Sequence, residues 1–401
     1  MTPQECRATL SLASIYAFRM LGLFMIIPIL SLYTLRLAHA DVFLIGLALG
    51  IYGLTQALLQ IPLGMLSDRI GRKPVIIVGL LIFILGSAIA ALSHGIYGVI
   101  LGRALQGAGA IGSTLIALLA DTTMEENRLK AMSVIGMTIG FSFMGAMVLG
   151  PLFNDWVGLS GVFWIAAGLG LMSLLLLRVV PTLAIHPLHQ DCEPVISQFK
   201  TVLKMPELLR LNCGIFILHA MLMALFIVIP MALVGDLGFR EDEQWMVYLP
   251  VLLAAAVFMV PFVILAEVKK VMKPVFVGAI FAIVVAEVLL WQFHQTILSL
   301  SLILCLFFTA FTLLEAILPS LVSKIAPKQS KGTAMGIYST SQFLGVFFGG
   351  SLGGVLFNAY GQSGVLLFCA AMGFVWLVVA SSMKKPPVKQ KSETLPRNKI
   401  T

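Results

Sequence analysis

The chain has 401 residues, of which 59% are apolar and only 11% are Asp, Glu, Lys or Arg. Soluble domains carry about 25% charged residues, so a chain with a mean hydropathy of +1.02 cannot coat two or three water-exposed globules, and lipid must be the solvent for most of its side chains. That excludes a soluble enzyme, a disordered chain and a disulfide-stapled secreted domain; the formal charge of +8, which would suggest nucleic acid on a soluble protein, has a different explanation here.

A hydrocarbon core of about 30 Å needs about 20 apolar residues in a helix. In chain order such runs fall near 11–33, 42–66, 74–94, 96–119, 131–153, 161–180, 208–234, 246–266, 274–292, 296–322, 333–356 and 364–382. They are continuous rather than alternating, so the expected fold is all-α with twelve transmembrane helices, not a barrel. The first run is long enough to span and lacks a small-residue cleavage site, so no cleaved signal is expected. Basic residues set the expected orientation. With the N-terminus inside, 22 of the 26 Lys and Arg lie at cytoplasmic ends and loops, including Lys269, Lys270, Lys273, Lys324 and Lys328. The outer loops hold only Arg36 and Arg240, and Arg19 and Arg103 lie within spans. Both termini are therefore expected to be cytoplasmic, the basic surplus marks a membrane surface, and no nucleic-acid partner is expected. Cys6, Cys192, Cys213, Cys305 and Cys369 are scattered without CxxC spacing, so neither a disulfide framework nor a metal site is expected.

The polar stretch 181–207 is the only one long enough to separate six spans from six. The expected division is a bundle over 1–180, a cytoplasmic linker over 181–207, a second bundle over 208–382 and a disordered basic tail over 383–401. Ala131-Met132 and Ser160-Gly161-Val162 match Ala334-Met335 and Ser363-Gly364-Val365 at one offset, and Lys73-Pro74 echoes Lys273-Pro274. Two such parallel repeats suit a transporter whose halves rock about a site between them. Pro28, Pro62, Pro230, Pro261 and Pro319 would supply bends for that motion.

Between spans two and three stands Gly64-Met65-Leu66-Ser67-Asp68-Arg69-Ile70-Gly71-Arg72-Lys73. A positive-inside loop explains the basic residues but neither Asp68 nor the two glycines. The segment resembles the major facilitator superfamily signature G-x-L-x-D-R-x-G-R-[RK] at every defined position. The resemblance implies that Asp68 meets the N-terminus of the eleventh helix in an outward-facing state, where the helix dipole stabilises a carboxylate, and that Arg72 pairs with Asp121. The second copy, Ile264 to Lys273, keeps only an acid and the basic residues. In span four, Arg103-Ala104-Leu105-Gln106-Gly107-Ala108-Gly109-Ala110 resembles the family's R-x-x-Q-G-x-G-A. It implies either proton coupling by Arg103 or a hold on the first helix, with Gly107 and Gly109 allowing close helix approach. The overlapping G-x-G-x-x-G follows no strand and is set aside as a nucleotide site. Gly136, Gly140, Gly145 and Gly150-Pro151 partly match the antiporter-associated G-x-x-x-G-P-x-x-G-G, with Ala146 and Asn154-Asp155 departing from it. This glycine face is expected to pack spans five and eight together; Gly345, Gly349, Gly350, Gly353 and Gly354 form its richer counterpart in span eleven.

Besides Arg103, the spans hold Arg19, His219, Glu287 and Glu315, each expensive in hydrocarbon and functional by default. Glu315, flanked by Leu314 and Ala316, must hold a proton or pair with a cation. His219 forms a proton site with it or caps a backbone carbonyl. Glu287 serves as either a proton group or a structural pair, and Arg19 faces an anion or couples to a glutamate. Tyr16, Phe24, Tyr33, Tyr52, Gln56, Gln60, Phe141, Trp245 and Gln342 are further cavity candidates. Across residues 10–383 the chain is similar to the bacterial YajR-type, drug:proton antiporter-like branch of the family. That resemblance implies a monomeric secondary transporter of a cell inner membrane, exporting a small amphiphilic or drug-like molecule in exchange for protons. Its partners would be that molecule, protons and membrane lipid, and its energy source the proton gradient, with no cofactor. Relatives in the branch carry a small soluble domain after the last helix; residues 383–401 are too short and polar to bury a core. Proton symport inward, or from another class a channel, are the alternatives. An intramembrane enzyme is not expected, since no nucleophile–base set or HExxH is present.

Overall fold

In this computed structural model the described residues are 1–33, 36–180, 196–269, 271–293, 295–327 and 330–383. Most of the expected linker (181–195), the tail from Lys384 onward, Cys192, Lys270 and Lys328 lie outside them. The described elements are helices, in order α1 (Pro3–Phe24, continued by a turn at Ile27–Leu30), α2 (Val42–Ile70), α3 (Arg72–Leu92), α4 (in two pieces, Ile96–Ala108 and Gly112–Asp121) and α5 (Glu125–Leu177). There follow α6 (Ile196–Leu203), α7 (Pro206–Met231), α8 (Trp245–Val268), α9 (Met272–Phe293), α10 (Ile297–Ile325) and α11 (Lys331–Ser381). The molecule is an all-α membrane protein, as the apolar runs require. The first helix begins with a reciprocal cap: the Glu5 amide donates to Thr2 Oγ1 (3.2 Å) and the Thr2 amide donates to the Glu5 carboxylate (2.7 Å). That carboxylate also accepts from the Met124 amide (2.8 Å) and Asn127 Nδ2 (3.1 Å), which ties the start of α1 to the start of α5.

Among the described residues ten helical segments are long and apolar enough to cross a membrane, where the sequence predicts twelve. The difference lies in α5 and α11, with 53 and 51 residues. A straight helix of that length would reach about 80 Å, far beyond the hydrocarbon thickness. Each instead doubles back at one glycine of positive φ, Gly158 (67°) and Gly361 (65°). Before Gly158, α5 runs alongside α1, with Gly150 pressed on the Met25 carbonyl. After it, the chain returns along α3, where Ser160 Oγ donates to the Ala91 carbonyl and Lys73 Nζ to the Val180 carbonyl (2.7 Å). In α11, Gly345 and Gly349 pack on Phe216 and Ala220 of α7; after Gly361, Gly373 and Trp376 descend past Met221 and Gly214. A loop of polar residues is unnecessary at either reversal, because glycine tolerates this positive φ together with the extended ψ that accompanies it (178° at Gly158, -162° at Gly361). Gly158 and Gly361 stand at the spacing that separates Ala131 from Ala334, so the repeat read in the sequence recurs in the backbone.

The start of α1 and the end of α11 share one side of the helices with the α2–α3, α4–α5, α8–α9 and α10–α11 turns, the terminal side. On the opposite, far side, α2 and α11 come close. Gly50 lies against Phe347, Gly53 against Phe343, and Gly354 against Val42 and Phe43. Farther toward the terminal side, Gln60 Nε2 donates a hydrogen bond to Thr340 Oγ1 (3.1 Å). Arg36 spans the far-side loops to Glu241 through both guanidinium nitrogens, Nη1 at 2.9 Å. An exposed pair of this kind is worth about 1 kcal/mol at most, so backbone proximity rather than charge dominates this closure.

Candidate functional site

The signature loop turns on Gly71, whose φ of 97° a side chain would resist. This turn brings Arg72 back onto Asp68, while its Nε reaches Asp121 (3.1 Å) and its Nη1 reaches Ser67 Oγ (2.8 Å). The expected Arg72–Asp121 pair is therefore present. Asp68 makes its ion pair with Arg72 of the same loop, in place of the expected contact with the eleventh helix. Gly64 lies against Ser113 of α4 (3.3 Å to an added Cβ) and not against α11. Arg69 is exposed. Lys73 ties the loop to the end of α5, as described above.

Arg103 is fully buried in α4. Its Nη1 donates to Gln106 Oε1 (2.9 Å) and to the Leu23 carbonyl of α1 (3.3 Å), its Nε to the Ala48 carbonyl of α2 (3.3 Å), and its guanidinium lies 4.4 Å above the Tyr52 ring. Gln106 in turn donates to Ser87 of α3 (2.8 Å). Gly107 and Gly109 let α4 touch the backbones of α2 and α3. This motif clamps four helices. Arg19, one per cent exposed, donates from Nη2 to Gln56 Oε1 (3.0 Å); its Nε and Nη1 have no hydrogen-bond partner among the described residues. Among the described residues no carboxylate pairs with it, so the expected coupling to a glutamate is not made in this arrangement.

On the other repeat, α7, α10 and α11 bring His219, Glu315 and Gln342 together. His219 Nδ1 donates to the Ile215 carbonyl (3.3 Å) and Nε2 accepts from Gln342 (2.8 Å), which assigns the neutral ring with its proton on Nδ1. His219 thus caps a carbonyl, one of its two sequence readings, and stands beside Glu315. Glu315 Oε1 is 3.7 Å from Nδ1, too far for a hydrogen bond, and has no hydrogen-bond partner among the described residues, although its side chain is 33% exposed. Glu287, on α9, is fully buried with neither carboxylate oxygen hydrogen-bonded, and is brought near none of these groups by a hydrogen bond or ion pair.

Toward the far side an aromatic layer crosses between the repeats. Phe24 packs edge-on to Phe143 (5.5 Å), Phe143 meets Phe226 (6.2 Å) and Phe308 (6.4 Å), and Phe308 leads through Phe311 to the His219 ring (5.7 Å). Beyond this layer, a vestibule of about 510 Å³ opens between Tyr33, Arg36, Asn154, Asp155, Phe239 and Glu241. The polar cluster at Glu315 is separated from that vestibule by rings.

One expectation about packing changes. The glycine face of α5 was expected on α8, yet Gly150 packs on α1 and Gly136 and Gly140 have nothing within 4 Å of an added Cβ. Phe141, a cavity candidate, is 71% exposed. Both observations fit one state: α5 and α8 touch, but the face of α5 with Gly136, Gly140 and Phe141 stands open while α2 and α11 meet on the far side. Glu5 was missed, although Thr2-Pro3-Gln4-Glu5 is the S/T-x-x-E pattern of a capping box. The Arg36–Glu241 bridge had no local signal, since its partners are 205 residues apart.

A family model described as Major Facilitator Superfamily matches residues 12–350 and 211–400. The chain is 52% identical over 392 residues to the Inner membrane transport protein YajR of Escherichia coli (strain K12), covering 96% of this chain and 85% of that one. It is 27% identical over 356 residues to Multidrug resistance protein 2 of Bacillus subtilis (strain 168), covering 84% and 86%. Among solved structures, a bacterial homologue of the human lysosomal transporter Spinster, in an inward-facing and occupied conformation, shares the fold with a TM-score of 0.77 at 13% identity, covering 95% and 96%.

Proposed function

Because the chain belongs to the major facilitator superfamily, and is thus a membrane transporter of small molecules rather than an enzyme, we propose that it exports an amphiphilic or drug-like molecule in exchange for protons. It works in a cell inner membrane, by alternating access, with both termini cytoplasmic. The likeness to a protein named for multidrug resistance supports the outward direction, and the likeness to an inner membrane transporter supports the location. The single observation that carries proton coupling is Glu315. Its Oε1 is buried and unpartnered beside a neutral His219, on the terminal side of an aromatic layer. A carboxyl so placed is cheapest when it holds a proton, and any cation or change of access that reaches it favours release.

Glu315→Gln keeps the shape and removes the titration. In liposomes, substrate flux driven by a pH gradient should fall to background while substrate exchange without a gradient persists. Gradient-driven flux at the wild-type rate overturns the assignment. Reversing the gradient separates export from symport.

The arrangement described here fits the stage open toward the termini, with Asp68 turned onto Arg72. The same carboxylate, facing the start of α11 when that side closes, would hold the opposite stage. Asp68→Asn should then enrich the arrangement seen here. Spin labels on the terminal-side ends of α2 and α11 should report longer distances in the mutant; an unchanged distribution removes the latch.

A further inference from the structure

The buried charges of the two repeats have opposite sign. Every acidic residue before position 180 (Glu5, Asp41, Asp68, Asp121, Glu125, Glu126 and Asp155) lies near the end of a crossing, and the interior ions there are Arg19 and Arg103. After position 206 the interior ions are Glu287 and Glu315, with no Lys or Arg among them. Arg103 is largely accounted for: three acceptors serve its Nε and Nη1 and an aromatic face lies beneath it, which leaves only Nη2 without a hydrogen-bond partner among the described residues. Arg19 is not: a single amide oxygen serves one nitrogen and two nitrogens have none. A buried cation left short of acceptors is expensive, and helix packing gives no reason to keep it.

Its position supplies one. Gly53, Gln56 and Gln60 follow one face of α2 at helical spacing, and the outer two touch α11 at Phe343 and Thr340. Gln56, and the Arg19 bound to it, therefore stand where the two repeats meet. On the same stretch of α11, Gln342 holds His219 beside Glu315. A guanidinium and a carboxyl from different repeats thus stand close to where α2 and α11 meet, Arg19 through Gln56 of α2 and Glu315 through the His219 that Gln342 of α11 holds.

We propose that Arg19 receives an anionic group of the transported molecule, a carboxylate or phosphate, and that the substrate class is an amphiphile carrying such a group at one end and facing Glu315 with the other. This rests on the transport reading above and narrows its substrate. Arg19 is one per cent exposed here, so access accompanies the parting of α2 from α11.

The test uses rhodamine B, which has a free carboxylate, and its ethyl ester, which lacks one. Each is titrated by fluorescence polarisation into the full chain held in lipid nanodiscs. The wild type should bind the acid about tenfold tighter than the ester, the size of one charge-assisted hydrogen bond. Arg19→Gln should bring the acid to the level of the ester and leave the ester unchanged, while Arg19→Lys should keep part of the preference. Loss of an unpaired buried cation should not lower thermal stability, which a melting curve of Arg19→Gln verifies. Equal binding of acid and ester by the wild type overturns the proposal, as does an equal loss of both in Arg19→Gln, or no saturable binding of either. Gradient-driven flux that survives Glu315→Gln overturns the coupling assignment and leaves this one standing, since the dye pair reads Arg19 alone.

Discussion

Gly50→Ala should move the protein out of the arrangement described here. A methyl group at that position would stand 2.7 Å from the Phe347 carbonyl oxygen and 3.1 Å from its Cα. These are backbone atoms and cannot rotate away. Gly350→Ala makes the mirror-image collision, 2.5 Å from the Gly46 carbonyl and 2.9 Å from the Gly50 amide nitrogen. Overpacking of this kind costs about 1–3 kcal/mol. Because the collision exists only while α2 and α11 touch on the far side, the cost falls on one state and shifts its population by a factor of roughly 5–150. Distances between spin labels in the far-side loops, one near position 38 and one near 238, should lengthen. Unchanged distances, with the variant folded, would show that this contact does not separate the two states. Gly136→Ala is the control: it faces open space in α5 and should leave the distribution alone.

Arg103→Lys should cost stability despite the retained charge. The planar guanidinium serves α1, α2 and its own helix at once, and a lysine ammonium has neither the reach nor the fork to do so. The Leu23 and Ala48 carbonyls and Gln106 compete for one ammonium, and acceptors that lose leave buried groups short. The expected loss is about 2–3 kcal/mol, a fall of roughly 4–12 °C in melting temperature, with transport falling in proportion to the folded fraction. Arg19→Gln, by contrast, should melt no earlier than wild type. The two arginines look alike in the sequence and should separate cleanly in a thermal scan. A normal melting curve for Arg103→Lys with abolished transport would instead assign Arg103 to coupling.

The spans could be read from the chain because their signal is one of length: hydrocarbon thickness sets how many apolar residues must follow one another. The sites could be read for a related reason, since an ion within such a run is too costly to be incidental, and Arg19, Arg103, His219, Glu287 and Glu315 all announce themselves that way. Partners were less legible. That Arg72 meets Asp121 came through resemblance, whereas the pairing of Gln342 with His219 depends on how α7 and α11 rotate against each other, which no local pattern records. The state of the molecule was not legible at all. One sequence encodes both stages of a cycle, so the expected contact of Asp68 with α11 describes a stage other than the one observed, and α5 touches α8 here without using its glycine face. Gly158 and Gly361 show a third limit. A reversal made by one residue leaves no polar stretch to find, only a glycine among many.

Those two reversals also shape what the far face offers to the outside. With the α5 and α11 returns accomplished in a single residue each, that surface exposes little chain beyond the segments around 36–41 and 237–244. An epitope inserted at Gly158 or Gly361 would break a hairpin, whereas one placed near 238 would extend a loop already there. Antibodies, labelling reagents or proteases applied from that side should accordingly find the second position and miss the first two.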